Sequence, residues 1–383
     1  MDRSLNGPEL VRLVRRVFAP GPRDEGLAII VDLPDERVPD NPDWRRRRAL
    51  AAEWAGLLDD LREELDLKRV TLAWYRNVGA NNADLPDTCV LGTGGGVPAV
   101  SADIEVLPSF PFGRLFEQHT LVLAPTELSA TAPLKVAARG TRLRAATMPG
   151  FTEAMLPALR LDYVEINRRV RLLKELLDRA EAALLRFGVG AELHELRLDL
   201  RHRAAHASGG LLHDEGTAGN LPSGEAYIVP YEGERPGDPS RSAGVLPVQI
   251  DDEIVLYEIA GNRAVGVLSR GPHSDAERAL IAREPAYANL AELGLGVLAD
   301  FGIAPVGSLL LDEKLGLHVA FGRSDHFGGA IGPRDFTSPA AVIHLDRVYI
   351  PQTQPRIEAR QVVLQLPDGD RLLMENGRYR DVF

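Results

Sequence analysis

The sequence has very little cysteine and contains no long apolar run. Cys89 is the only cysteine among 383 residues, which excludes an intramolecular disulfide and a metal cage made of thiolates. This usage is typical of a reducing compartment, so we expect a cytoplasmic protein. No stretch of about 18 apolar residues occurs, so no transmembrane helix is expected. Met1–Pro20 mixes charged residues with short apolar pieces, which favours an amphipathic surface helix over Pro8–Phe18 and not a signal peptide.

Basic residues are outnumbered by acidic ones. The 44 lysines and arginines against 55 aspartates and glutamates give a net charge of −11. Binding to nucleic acid or to an anionic membrane surface needs a basic face, so we expect neither partner. Because 45% of the residues are hydrophobic, the chain can bury a core, and intrinsic disorder as the main state is excluded. A chain of this length favours two domains.

The first half alternates strand-like and helix-like segments. Pro42–Leu65 has helical spacing, and four short apolar runs are strand candidates: Leu27–Leu33, Arg69–Tyr75, Thr120–Ala124 and Leu134–Ala138. This alternation predicts an α/β domain with a parallel or mixed sheet. The glycine-rich Gly92–Gly96 (GTGGG) lacks the Lys-Ser/Thr that completes a phosphate loop, so we interpret it as a turn.

The second half has a different character. Apolar residues at helical spacing predict a long helix over 162–187, which Gly188 and Gly190 would end. We therefore place the domain boundary near residue 190, giving an N-terminal α/β domain over 1–190 and a C-terminal domain over 191–383. The later domain is predicted to be mostly antiparallel and β-rich. Its strand candidates are Glu225–Val229, Val245–Ile250, Ile254–Ile259, Ala264–Leu268, Gly316–Phe321, Ala340–Ile343 and Gln361–Leu366.

The C-terminal half also contains the residues best suited to chemistry. His344 and Asp346 are two positions apart in Ala341–Tyr349 (AVIHLDRVY), and in a strand their side chains would point to the same face. His318, Glu225 and Glu292 each lie in a largely apolar segment, where a charged group is costly unless it is paired. Each position alone also fits a purely structural role. Together they supply three carboxylates and two imidazoles, a set able to hold one or two divalent ions.

Five segments carry a resemblance to a known family. In chain order they are Met148–Leu156 (MPGFTEAML), Asn220–Pro230 (NLPSGEAYIVP), Ala291–Gly296 (AELGLG), Asp312–Gly322 (DEKLGLHVAFG) and His344–Asp346 (HLD). Their order and context resemble the aminopeptidase T/aminopeptidase S family of metallopeptidases, over about residues 145–350. The N-terminal third is similar only in its α/β character.

The resemblance implies an N-terminal α/β domain, a β-rich domain with a dinuclear metal site, and a homodimer. It implies a leucyl aminopeptidase-like metallohydrolase that removes N-terminal residues from peptides. The implied metal ligands are Glu225, Glu292, His318, His344 and Asp346, with Glu225 and Glu292 also as catalytic carboxylates. Zinc, cobalt, manganese and magnesium are all compatible with this set.

The sequence departs from the family at one position. The family has a tyrosine seven residues after its first histidine ligand, and here that position is Asp325, followed by His326. Asp325 or His326 could replace the tyrosine, or both could lie in a solvated loop. Two alternatives stay open. Dihydroxypyridine ring-cleaving dioxygenases, a branch of the same fold that this chain also resembles, would use His318, His344 and Asp346 to hold one iron(II). An inactive metal-binding homologue is the other alternative.

Overall fold

The structure is a computed structural model that describes residues 4–92 and 96–383. Most of the GTGGG segment, interpreted above as a turn, lies outside the described residues. The described helices are α1 (Gly7–Phe18), α2 (Pro42–Asp60), α3 (Phe112–Gln118), α4 (Thr131–Ala138), α5 (Leu156–Leu159), α6 (Tyr163–Arg179), α7 (Pro272–Arg283) and α8 (Leu309–Asp312). None of these helices is long and apolar enough to cross a membrane.

The strands of the same described residues fall into three sheets. They are β1 (Gly26–Leu33), β2 (Arg69–Arg76), β3 (Thr88–Leu91), β4 (Ser109–Pro111), β5 (Leu121–Ala124), β6 (Arg144–Thr147), β7 (Ala182–Val189), β8 (Glu192–Asp199), β9 (His206–Ser208), β10 (Thr217–Asn220), β11 (Glu225–Ile228), β12 (Ala243–Ile250), β13 (Glu253–Ala260), β14 (Arg263–Val267), β15 (Leu290–Gly296), β16 (Leu317–Gly322), β17 (His344–Val348), β18 (Glu358–Leu366), β19 (Gly369–Glu375) and β20 (Arg378–Tyr379).

The chain divides into two compact units. The first unit comprises Met1–Ile166 and Gly210–Ser223, and the second comprises Asn167–Gly209 and Gly224–Phe383. The predicted boundary near residue 190 falls in the turn between β7 and β8. The chain passes from one unit to the other three times along its length.

The first unit contains a seven-stranded mixed sheet in the order β10-β6-β5-β1-β2-β3-β4. The strands from β10 to β2 are parallel, and β3 and β4 add an antiparallel edge. Every residue of β1 is buried, as expected for a central parallel strand covered on both faces. Helix α1 begins with a capping box between Asn6 and Glu9. Its apolar residues are buried while Arg12 and Arg15 are exposed, which confirms the amphipathic helix predicted at the N-terminus.

The second unit contains two antiparallel sheets. One has eight strands in the order β14-β13-β12-β8-β7-β18-β19-β20, and the other has five in the order β17-β16-β15-β11-β9. The β-rich second half is therefore confirmed, and so is the predicted fold class of an α/β region followed by antiparallel sheets.

Three of the predicted elements are wrong. The helix predicted over 162–187 ends at Arg179, and Ala182–Val189 forms β7. Four residues at the predicted helical spacing, Ile166, Val170, Leu173 and Leu177, are buried as expected for one apolar stripe. Leu134–Ala138 belongs to helix α4 and is not a strand. Ala340–Ile343 is not a strand either, because Pro339–Ala341 forms a single 3-10 turn and the strand β17 starts at His344.

Candidate metal centre

One face of the five-stranded sheet brings the five sequence-predicted site residues together. Glu225 starts β11, Glu292 lies in β15, His318 in β16, and His344 and Asp346 in β17. Side chains alternate between the two faces of a strand, and directly paired residues share a face. All five side chains therefore lie on the same face. Glu292 shares its face of β15 with Gly294 and Gly296, and the direct pairs across the strands are Glu225 with Gly296, Gly294 with His318, Ala320 with Asp346, and Gly322 with His344.

Small residues between these side chains give them room. Gly294, Gly296 and Ala320 lie on the same face as the five site residues. A Cβ atom on Gly294 would lie only 1.9 Å from Nε2 of His318, so this position admits the imidazole only because it is glycine. The pairing of β15 with β16 also shifts register between Leu290 and Glu292. Such β-bulges are common next to active sites, where they redirect a side chain.

The five side chains form two clusters that share Glu292. The first cluster is Glu225, Glu292 and His318, and the second is Glu292, His344 and Asp346; in each, the candidate ligand atoms lie within 4.8 Å of one another. Oε1 of Glu292 is 3.3 Å from Nε2 of His318, and Oε2 is 3.2 Å from Nε2 of His344. Each oxygen of this one carboxylate therefore belongs to a different cluster.

Backbone carbonyl groups contact the Nδ1 atoms of both histidines and so orient the two rings. Nδ1 of His344 lies 2.8 Å from the carbonyl oxygen of Arg323, and Nδ1 of His318 lies 3.4 Å from that of Gly316. A protonated Nδ1 donating to these oxygens leaves Nε2 of each ring to face the carboxylates. Histidine ligands of metal ions are commonly oriented by such a bond from the second ring nitrogen.

The acids and histidines shift each other's pKa strongly. Burial lowers the pKa of His318, but its hydrogen bond to Glu292 and the nearby carboxylate charges raise it to about 9. The pKa of His344 is raised well above its usual value, because Asp346 and Glu292 outweigh the effect of burial. Burial raises the pKa of Glu292, yet the two histidines hold it far below its usual range. The ionised carboxylate of Glu292 and the protonated histidines therefore favour each other, and a metal ion would compete with the protons on the two imidazoles.

The site fits a divalent metal on two further observations. Oε2 of Glu225 is buried, and no hydrogen bond from the described residues reaches it. This oxygen has an ion-pair contact with Nε2 of His318 at 3.5 Å, but a buried carboxylate oxygen without a hydrogen bond is costly, and a metal ion would satisfy it. Carboxylates and imidazoles are also the ligand types that zinc, manganese and iron(II) accept.

Sequence reasoning missed Lys314 and Glu313 of this site. The Lys314 side chain is 0% exposed and its Nζ lies 3.0 Å from Oε1 of Glu225. Glu313 also contacts this ammonium group, and burial together with the charges of Glu225 and Asp346 raises the pKa of Glu313 to about 8 in spite of Lys314. The signal available in the sequence was the charged run Asp312-Glu313-Lys314 directly before an apolar strand.

Asp325 and His326, at the position of the family tyrosine, have different surroundings. Asp325 is bound by Arg323, whose Nε lies 2.6 Å from Oδ1, and it belongs to neither cluster. The His326 ring lies edge to face against His344, with ring centroids 5.2 Å apart. Burial and the neighbouring His344 lower the pKa of His326 to about 4. Of these two residues, His326 is therefore the one in contact with a cluster.

Aromatic rings border His344 and extend to β11 and β9. Phe327 lies 5.5 Å from His344 and 4.8 Å from Tyr227, and Tyr227 stacks on His206 at 5.1 Å between ring centroids. We call His206, Tyr227, His326 and Phe327 the ring group.

Comparison with known proteins gives structural neighbours but no sequence relatives. No protein-family model matches the chain, and no curated protein is similar to it in sequence. A solved structure of 2,5-dihydroxypyridine dioxygenase from Pseudomonas putida KT2440 is similar with a TM-score of 0.60 and 16% identity, over 98% of both chains. Wild-type AmpT, an aminopeptidase T, from Thermus thermophilus has a TM-score of 0.53 and 16% identity, over 97% of this chain and 99% of that one. At this level of identity the likenesses show a shared fold.

Proposed function

We propose that this chain is a metal-dependent aminopeptidase that holds two divalent ions and releases N-terminal residues from peptides. The observation that carries the proposal is the sharing of Glu292 between two clusters of candidate ligands. A carboxylate with one oxygen directed to each of two ligand sets suits a bridge between paired metal ions. Glu225 and His318 would complete one set, and His344 and Asp346 the other. The structural likeness to AmpT supports the same proposal.

The chemistry follows from what such a site contains. Paired divalent ions, when bound, polarise a carbonyl group and lower the pKa of a coordinated water. The carboxylates of Glu225 and Glu292 would hold the ions, and whichever of the two keeps an oxygen free of metal would accept a proton from the attacking water and pass it to the leaving amine. An acidic site of this kind favours the amino end of a peptide.

Metal analysis together with a peptidase assay tests this proposal. We expect about two zinc, manganese, cobalt or magnesium ions per chain and hydrolysis of leucine-initiated dipeptides. In His344→Ala, the metal count should fall and hydrolysis should drop at least ~100-fold, the lower end of what a catalytic group contributes. His273→Ala is the matched control, because His273 lies in the same unit, pairs with Asp251 and belongs to neither cluster.

One observation favours a second candidate, an iron(II) dioxygenase acting on a hydroxylated ring. The ring group borders His344 through His326 and Phe327, and aromatic side chains of this kind can stack on a planar substrate. The likeness to the Pseudomonas putida dioxygenase supports it. About one iron per chain, with oxygen consumption on addition of 2,5-dihydroxypyridine, would replace the aminopeptidase proposal by this one. No bound metal after reconstitution would overturn both and leave an inactive homologue.

We propose a homodimer in the cytoplasm that acts on peptides and binds neither nucleic acid nor membranes. The acidic composition supports the absence of the last two partners.

A further inference from the structure

A buried lysine lies beside the candidate ligands without being one of them. Lys314 belongs to the single turn Glu313–Leu315 between α8 and β16, and its side chain is fully buried. The turn packs directly on Gly296, the residue paired with Glu225 across β15 and β11. A Cβ atom on Gly296 would lie 2.2 Å from the carbonyl carbon of Lys314. The backbone thus fixes the base of this lysine against the strand that faces Glu225.

The two carboxylate oxygens of Glu225 have different contacts, because only one of them lies against the ammonium group of Lys314. Nζ lies 3.0 Å from Oε1, and Glu313 contacts the same ammonium group. Oε2 lies on the other side, 3.5 Å from Nε2 of His318. It is buried and receives no hydrogen bond from the described residues. One oxygen of Glu225 is therefore held, and the other is left facing the first cluster.

We propose that Lys314 is a positioning residue, which holds Oε1 of Glu225 so that Oε2 is presented as a metal ligand beside His318. The inference rests on the metal site of the proposed function, but not on peptide hydrolysis. A carboxylate that rotates freely would lose side-chain entropy on binding a metal ion, and a carboxylate already held by an ammonium group has lost it beforehand. Groups behind a ligand commonly change metal affinity by about 10–100-fold when they are removed.

A rival explanation predicts the opposite result. A buried ammonium group among carboxylates can take the place of a metal ion, because it supplies positive charge at the same position. In that case, removal of the lysine would open a place for a metal ion and raise the number bound. If Lys314 positions Glu225, its removal weakens binding at the first cluster.

Titration of Zn²⁺ into the metal-free full chain by calorimetry separates the two. We expect Lys314→Met to weaken zinc binding to the first cluster by ~10-fold or more, with binding at the second cluster changed less. Lys174→Met is the matched control, since Lys174 is a partly exposed lysine of the same unit that pairs with Asp178. An unchanged or tighter affinity, or an additional zinc ion in Lys314→Met, would overturn the inference.

Two further variants keep the test decisive if Lys314→Met folds poorly. Lys314→Met with Glu313→Gln removes the ammonium group together with the carboxyl group that contacts it, and it should show the same weakening. In a Glu225→Gln background the carboxylate is absent, so Lys314→Met should have little additional effect on zinc affinity. A full additional effect there would show that Lys314 does not act through Glu225. If the wild-type chain binds no zinc, the metal site of the proposed function is contradicted. If the wild-type chain and Lys314→Met bind zinc equally well, only the positioning role of Lys314 is contradicted.

Discussion

At the scale of single residues, Asp199 shows how the second unit keeps a charge in its interior. This side chain is 0% exposed. Its Oδ2 accepts hydrogen bonds from Nη2 of Arg201 at 2.7 Å and from the backbone amide of Arg241 at 2.9 Å. Burial raises the pKa of Asp199, but the bonds from Arg201 and Arg241 outweigh it and hold the pKa below the ordinary value of 3.8. The folded state therefore favours the ionised form.

A pH-dependent contribution to stability follows from this shift. Because the folded pKa is depressed, Asp199 stabilises the fold above pH ~4, and this contribution is lost as the pH falls through the folded pKa. We expect Asp199→Asn to cost about 2 kcal/mol at pH 7, a typical value for a hydrogen bond to a charged group. The loss should shrink toward pH 3. Urea unfolding between pH 7 and 3 measures it, with the exposed Asp370→Asn as control. A constant loss across this range would contradict the prediction.

At the scale of secondary-structure elements, helix α4 shows where sequence patterns mislead. Residues 134–138 form a short apolar run that was predicted as a strand. A strand would put Leu134, Val136 and Ala138 on one face, whereas a helix puts residues three or four positions apart together and turns position 136 away from 134. Leu134 and Ala138 are fully buried and Val136 is 66% exposed. Periodicity cannot decide between the two from so few residues.

The two faces of α4 predict opposite effects of similar substitutions. Leu134→Ala should destabilise the chain by about 3 kcal/mol, because it leaves a cavity in the core of the first unit. Val136→Ala should stabilise it by up to about 0.5 kcal/mol, since alanine has the higher helix propensity at an exposed position. Denaturant unfolding followed by tryptophan fluorescence measures both. A substantial loss from Val136→Ala would indicate that position 136 packs inward, as in the rejected strand.

Periodic patterns also determine which parts of the candidate site could be predicted from the sequence. His344 and Asp346 share a face because side chains alternate along a strand, and the sequence predicted this correctly. The convergence of β11, β15, β16 and β17 could not be derived from spacing, and it was expected only from family resemblance. Lys314 was missed because it lies in a single turn, where no periodic pattern exists.

At the scale of the whole molecule, the tryptophans and the candidate metal ligands lie in different units. All three tryptophans, Trp44, Trp54 and Trp74, are buried in the first unit. Both candidate clusters lie in the second unit. Tryptophan fluorescence therefore follows unfolding of the first unit, whereas calorimetry follows both units.

This arrangement predicts that metal binding stabilises one unit selectively. A ligand that binds only the folded state adds about 2.7 kcal/mol of stability at a concentration 100 times its dissociation constant. For a unit of this size, that corresponds to a shift in melting temperature of about 5–10 °C. With zinc, we expect a calorimetric transition to move upward by this amount and the tryptophan midpoint to move by less than about 2 °C. Glu292→Gln, which changes the carboxylate shared by both clusters, should remove the calorimetric shift. Equal shifts of both signals would contradict this prediction. The tryptophans lie in the first unit and the clusters in the second, so zinc could shift the tryptophan midpoint equally only if the two units unfold as one cooperative system.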